Sequence, residues 1–72
     1  MSVQEYTRIF CRNVHWRREE AGLSTLELSK RSGVPPEMLE ALERGVIPQE
    51  MMVDDAIDLA RAFGCEVYEL FQ

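Results

Sequence analysis

Residues 23–45, LSTLELSKRSGVPPEMLEALERG, constrain the fold of this chain more than any other segment. Ser24, followed three residues later by Glu27, has the pattern of a capping box at the start of a helix. Gly33 lies where that helix must end, because glycine adopts a positive φ without steric cost. The first half of the segment therefore predicts a short helix that begins near Ser24 and ends at Gly33.

The second half of the segment predicts another short helix. Pro36 suits its first turn, where the missing N–H of proline is no loss, and Gly45 follows its last residues. Two helices joined by a tight turn that contains glycine have the layout of a helix-turn-helix unit, here at about 24–45. The second helix of such a unit can lie in the major groove of DNA.

The length of the chain limits it to one domain. It has 72 residues, of which 46% are apolar, a share that is ordinary for a globular protein and too high for disorder. No run approaches the roughly 20 apolar residues of a membrane span, and MSVQEYTRIF lacks the features of a signal peptide. We therefore expect a single domain over residues 1–72, located in the cytoplasm and without membrane association.

The net charge of −5 is unevenly distributed along the chain. Residues 1–21 carry four arginines against three glutamates, and residues 22–45 carry three basic side chains against four glutamates. Residues 46–72 carry one arginine against six carboxylates. A negative domain is not attracted to phosphate at long range, so any contact with a nucleic acid depends on a local basic patch in the N-terminal half.

Helical periodicity predicts three more helices around the central unit. Together with the two helices of the central unit, the predicted helices span 3–21, 25–32, 36–44, 48–63 and 67–71, and Pro48 begins the fourth. No segment has the pattern of a strand, so we expect an all-α domain of five helices. The predicted core side chains are Tyr6, Phe10, Val14, Ala21, Leu28, Leu39, Leu42, Val53, Ala56, Ile57, Leu59, Ala60, Phe63, Leu70 and Phe71.

For five residues of the chain, the sequence leaves a choice between packing and function. Ile9 and Trp16 lie seven residues apart, and we expect them to pack against the C-terminal helices; an exposed surface for a partner is the alternative. Cys11 and Cys65 lie in apolar surroundings and are expected to be free, buried thiols. Cys11 and His15 have the spacing of metal ligands on a helix, but a structural zinc site needs four ligands, so no metal or other cofactor is expected.

The order of these segments resembles the Cro and phage-repressor type helix-turn-helix family. The resemblance rests on REEAGLS at 18–24, LSKRSGV at 28–34, LERG at 42–45 and DLARAFGCEVYELF at 58–71. It implies a compact five-helix, lambda-repressor-like domain and a small regulator of transcription that binds double-stranded DNA. Members of the family often form homodimers. The resemblance also implies a buried ion pair between Arg18 and Glu43, which agrees with the high cost of an unpaired buried charge.

The positions that contact DNA in this family carry an unusual set of side chains here. Thr25, Lys30 and Arg44 are the expected phosphate contacts, together with the arginines of the first helix. The family's remaining DNA-contacting positions hold Pro35 and Pro36, of which Pro36 has no N–H to donate, and Glu37, Glu40 and Ala41, which would face bases. A glutamate can accept a hydrogen bond from N4 of cytosine, so acidic contacts to bases are possible.

The acidic second helix also supports a different function. A helix-turn-helix fold that has lost DNA binding would act as a protein-interaction module or as a small antagonist of a related regulator. The loop after that helix offers apolar side chains for a partner, although they could equally cap the core: Val46, Ile47, Met51 and Met52. An enzyme is not expected. General acid–base chemistry needs paired titratable groups in a pocket, and the chain offers one histidine and no such arrangement, so no catalytic residue is assigned.

Overall fold

The computed structural model describes residues 2–72 of the chain. They fold into four α-helices and a C-terminal 3-10 helix. The helices are α1 (Val3–Glu20), α2 (Thr25–Ser32), α3 (Pro36–Glu43) and α4 (Val53–Phe63), and the 3-10 helix spans Val67–Phe71. No strand occurs within this described part, and the all-α class is confirmed. The fifth helix has 3-10 winding, which is common for such a short segment.

The core lies where α1 crosses the other helices. α1 packs against the 3-10 helix, α3 and α4, and α2 packs against α3 and α4. Phe10 of α1 stacks on Phe71, with 4.9 Å between the ring centroids. The buried apolar side chains come from all five helices and two connections: Phe10, Cys11, Val14, Leu23, Leu28, Val34, Leu39, Ala41, Leu42, Ala56, Leu59, Ala60 and Leu70.

The predicted apolar stripe of α1 is only partly buried. Phe10 and Val14 are 1% exposed, whereas Tyr6 is 46% exposed and Ala21 lies at the surface. Tyr6 lies edge-on to Phe71, at a centroid distance of 6.4 Å, near the exposed start of α1. Trp16 is 58% exposed, so the expectation that it packs against the C-terminal helices is wrong, whereas Ile9 is half-buried.

Local hydrogen bonds fix both the start of α2 and the turn between α2 and α3. Ser24 and Glu27 form both bonds of the predicted capping box, at 2.8 and 3.1 Å. Gly33 has φ of 83° and donates its N–H to the carbonyl oxygen of Ser29. The hydroxyl of Ser29 in turn donates to the carbonyl oxygen of Val34 at 2.6 Å. The geometry between the two helices therefore rests on bonds within a few residues of sequence.

The start of α4 differs from the prediction. The helix begins at Val53 and not near Pro48, which lies in a turn closed by a hydrogen bond from the N–H of Met51 to its carbonyl. The carboxylate of Asp55 accepts from the N–H of Met52 at 2.9 Å and so defines the first turn. Val53, predicted in the core, is 73% exposed because it opens that first turn outside the packed region. None of the helices within residues 2–72 has the length and apolar character needed to cross a membrane.

Candidate nucleic-acid interface

The exposed side of α3 carries two carboxylates and, just after its end, one guanidinium. Glu37, Glu40 and Arg44 are spaced three and four residues apart, which places them on one side of the helix, and all three are exposed. Leu39 and Leu42 point the other way and are 1% exposed. We call Glu37 and Glu40 the acidic face of α3. Within the described residues, Glu37 and Glu40 take part in none of the salt bridges, so both charges face solvent.

Ala41 does not belong to this face, contrary to the prediction from the sequence. Its side chain is only 6% exposed. The chain turns back at Gly45, with φ of 81°, and the N–H of Val46 donates to the carbonyl oxygen of Ala41 at 2.9 Å. Ala41 is therefore part of the packed interior and cannot meet a base edge. Pro36, at the first position of α3, is half-buried and has no N–H to donate.

The start of α2 holds the hydroxyl of Thr25 with a negative charge beside it. Thr25 is the first residue of α2 and is half-buried, and Lys30 is exposed one and a half turns later. The hydrogen bonds of the capping box, first of all that from the N–H of Ser24, lower the pKa of Glu27. Glu27 thus stays ionised at the helix start, where the helix dipole favours an anion.

Arg18 and Glu43 join α1 to the end of α3. Nε and Nη2 of Arg18 donate to the two carboxylate oxygens of Glu43 at 3.1 and 3.2 Å, and Nη1 donates to the carbonyl oxygen of Leu23 at 2.7 Å. Nδ1 of His15 lies 2.7 Å from Oε1 of Glu43. The side chains of Arg18 and Glu43 are 15% and 24% exposed, so the pair is partly buried and not fully buried as expected.

The electrostatics of this cluster favour its charged form. Partial burial raises the pKa of Glu43, but hydrogen bonds from Arg18 and His15 outweigh this effect, and the pKa lies below its ordinary value. The hydrogen bond to Glu43 raises the pKa of Arg18. Arg18 and Glu43 are bonded to each other, so the cluster holds the end of α3 against α1. It does not involve the carboxylates of the acidic face.

A groove runs along α1 and reaches the end of α3. Its volume is about 610 Å³, and Arg8 and Arg12 of α1 line it together with Arg44. We call these three residues and the space between them the arginine groove. All three side chains are exposed, and Cys11, which is 5% exposed, lies at its base. Sequence reasoning grouped the arginines of the first helix as phosphate contacts, but their meeting with Arg44 follows only from the packing of α1 on α3.

The apolar loop after α3 is mostly at the surface. Val46, Ile47 and Met52 are 50%, 36% and 68% exposed, whereas Met51 is half-buried and packs against the core. We call these four residues the loop patch. Three of them line a small apolar groove of about 200 Å³, whose other walls include Phe10, Val67 and Phe71.

The two cysteines are free thiols, and Cys11 is buried, whereas Cys65 is half-buried. Burial raises the pKa of both thiols, which reduces their reactivity. Among residues 2–72, no three His, Cys, Asp or Glu side chains come together in a way that could hold a metal ion.

The fold and the turn between α2 and α3 define a helix-turn-helix domain. A family model described as helix-turn-helix matches residues 14–70, which is most of the chain. The chain therefore belongs to the Cro and phage-repressor type helix-turn-helix family, whose fold is lambda-repressor-like and whose members are DNA-binding regulators of transcription. No curated protein and no solved structure matches the chain significantly.

Proposed function

We propose that this chain is a small transcriptional regulator that binds double-stranded DNA with α3 in the major groove. Family membership supports the proposal, because the matched residues include the whole helix-turn-helix unit. The observation that carries it is the α2–α3 unit itself. A hydrogen-bonded turn sets the position of α3, and within residues 2–72 no salt bridge involves Glu37 or Glu40 on its exposed side.

The contacts to DNA would divide into two kinds. Thr25, Lys30 and Arg44 would bind phosphates, which sets the position of α3 and carries no sequence information. Glu37 and Glu40 would accept hydrogen bonds from base edges, and N4 of cytosine is the donor that suits them. A homodimer, as is common in this family, would place two copies of α3 on half-sites about one turn of DNA apart.

Selection of binding sites from a random duplex pool tests this proposal. The wild type should enrich a defined sequence, and Glu37→Ala and Glu40→Ala should each change the preferred base at a distinct position, since each removes an acceptor. Glu20→Ala is the matched control. Glu20 is exposed at the end of α1, so the substitution removes one negative charge outside α3. It should leave the selected sequence unchanged.

Two results would contradict the proposal. One is a wild-type protein that is folded by circular dichroism and binds no duplex at low salt. The other is a pair of glutamate variants that bind every duplex more tightly without any change in the preferred sequence. That pattern would mean that the two carboxylates only repel phosphates and that α3 does not contact bases.

A second function, a protein-interaction module on the same fold, is favoured by the exposed loop patch and the net charge of −5. A chain of this kind would bind a partner, or a second copy of itself, through Ile47 and Met52. Sedimentation equilibrium of the wild type and of an Ile47→Asp/Met52→Asp variant tests self-association. A loss of dimer in the variant, from a wild type that does not bind DNA, would support this function over the first.

A further inference from the structure

The apolar groove beside the loop patch has a fixed base and an exposed edge. Every residue that lines it is apolar, and α1, α4, the 3-10 helix and the loop before α4 all contribute. At its base, Phe10 is 1% exposed, and its ring stacks on that of Phe71. Met52 and Val53, which also line the groove, are 68% and 73% exposed. The base is therefore held by the core, while the edge is open to a partner.

Exposed apolar side chains are concentrated at this groove. Four of the nine large apolar side chains that are exposed in residues 2–72 lie within residues 46–53: Val46, Ile47, Met52 and Val53. Single exposed apolar residues need no explanation, whereas a contiguous patch of them marks an interaction surface. The groove volume of about 200 Å³ is below the range of about 300–1,000 Å³ that is typical of small-molecule pockets. A groove of this size suits an anchoring side chain of a larger partner.

The charged residues that adjoin the lining residues of α4 and the 3-10 helix are acidic. Asp54 follows Val53 and Glu66 precedes Val67, and both carboxylates are exposed. Neither takes part in a salt bridge within residues 2–72. Two negative charges without an internal partner therefore lie beside the apolar side chains.

Basic side chains lie away from this edge. Arg61 is the one basic residue of 46–72, and it is eight residues along α4 from Val53, which corresponds to about 12 Å. Arg8 and Arg12 line the arginine groove and not the apolar groove, although Arg12 also donates to the carbonyl oxygen of Gln72. The carboxylates at the apolar groove are thus left for an external cation.

These charges favour a basic partner over a second copy of this chain. In a symmetric dimer the same patch meets itself, so the carboxylates of the two copies would be brought together. Like charges opposed across an interface disfavour association, whereas lysine or arginine beside apolar anchors would be complementary. The described residues form helices and offer no sheet edge to an extended peptide. An amphipathic helix, which lays its apolar side into a groove, is the segment that fits.

We propose that the apolar groove binds one helix of another protein, an amphipathic helix whose apolar face enters the groove and whose lysine or arginine side chains meet Asp54 and Glu66. This inference rests on the second function above and names the chemistry of its partner. The thioether of Met52 adapts to the irregular surface of such a helix. None of the lining residues belongs to α2 or α3, so the groove is separate from the acidic face of α3.

Binding of a model peptide tests the proposal. The probe is a labelled peptide of leucine and lysine, about four helical turns long, with its leucines on one helix face. A second probe has glutamate in place of every lysine. Fluorescence anisotropy at low salt should show binding of the lysine peptide by the wild type, and binding of the glutamate peptide should be at least about tenfold weaker. Added salt should weaken the binding of the lysine peptide.

A first variant removes the apolar edge of the groove without changing its charge. Met52→Ser/Val53→Ser should keep the fold, because both side chains are exposed and serine is favoured at the start of a helix. We expect the lysine peptide to bind at least about tenfold more weakly, since burial of one such side chain corresponds to roughly that factor. Leu26→Ser is the matched control. It changes an exposed apolar residue of α2 outside the groove and should leave the affinity unchanged.

A second variant removes the two charges. Asp54→Asn/Glu66→Gln should weaken binding of the lysine peptide about threefold at low salt, and the difference should disappear at high salt. Glu20→Gln/Glu40→Gln removes the same charge from exposed positions outside the groove and should leave the affinity nearly unchanged. Circular dichroism and thermal unfolding verify that every variant is folded.

The outcomes separate this inference from the function on which it rests. Equal binding of the two peptides, lost in Met52→Ser/Val53→Ser, would overturn the basic partner and leave the protein-interaction module standing. A wild-type dimer in sedimentation equilibrium that this variant dissociates would do the same, with a second copy as the occupant. A monomeric wild type that binds neither peptide below about 1 mM would overturn both. Binding of the lysine peptide that is unchanged in Met52→Ser/Val53→Ser would overturn the groove as the docking site.

Discussion

The Arg18–Glu43 pair allows a prediction with a magnitude. Glu43→Ala removes three hydrogen bonds at once, two from Arg18 and one from His15. It leaves a guanidinium whose side chain is 15% exposed and whose remaining neighbours are the carbonyl oxygen of Leu23 at 2.7 Å and Nδ1 of His15 at 3.4 Å. Breaking a fully buried pair costs about 3–5 kcal/mol, whereas an exposed pair contributes at most about 1 kcal/mol. The partial exposure of both side chains places the expected loss of unfolding free energy at about 2 kcal/mol.

A double-mutant cycle measures the interaction itself. The free energies of unfolding of the wild type, Arg18→Ala, Glu43→Ala and the double variant come from urea titrations near neutral pH. We expect a coupling of about 1–2 kcal/mol, lower than the single-variant loss would suggest, because Arg18 also bonds to Leu23. A coupling below about 0.3 kcal/mol would refute the view that this pair holds α3 against α1.

The pH dependence gives an independent check on the same pair. The pKa of Glu43 in the folded protein lies below its ordinary value of 4.5. A carboxyl group of this kind adds stability that is complete above its unfolded pKa and is lost as the pH falls through its folded pKa. The advantage of the wild type over Glu43→Ala should therefore shrink below about pH 4.5. An advantage that stays constant down to strongly acidic pH would contradict this explanation.

Three smaller predictions concern local structure. Gly33→Ala should destabilise the fold by about 1 kcal/mol through backbone strain alone, because φ is +83° and no atom lies within 4 Å of the added Cβ; a thermal melt unchanged from the wild type would contradict this. Ser24→Ala should cost about 1 kcal/mol through loss of the bond to the N–H of Glu27, measured by urea unfolding. Cys11 and Cys65 should react slowly with a thiol reagent in the folded protein and rapidly in denaturant, where two thiols should be counted.

The sequence predicts best where the decisive contacts are local. The bounds of α2 follow from Ser24, Glu27 and Gly33, which all interact within a few residues, and the structure has the predicted helix. The start of α4 was missed because Met52 has no side-chain oxygen that could mark an N-cap. Only the reverse bond, from its N–H to Asp55, defines the helix start.

The remaining differences between the predicted and the observed structure come from contacts between segments that are distant in sequence. The burial of Ala41 depends on the return of the chain after Gly45, and helical periodicity gives no information about it. Periodicity likewise places Trp16 on one face of α1, but it gives no information on its exposure, which depends on the helices that pack beside that face. The arginine groove likewise brings residues more than thirty positions apart in sequence to one place.

The exposure of Trp16 determines what intrinsic fluorescence can report about this protein. It is the one tryptophan of the chain, and its indole is already 58% accessible to water in the folded state. Its emission will therefore resemble that of an indole in water, and global unfolding will move the emission maximum little. The side chain borders a cleft with Arg17, Arg31 and Phe63, where α1, α2 and α4 meet. Quenching of its emission is accordingly a measure of events at that junction, while unfolding must be followed through the helical signal.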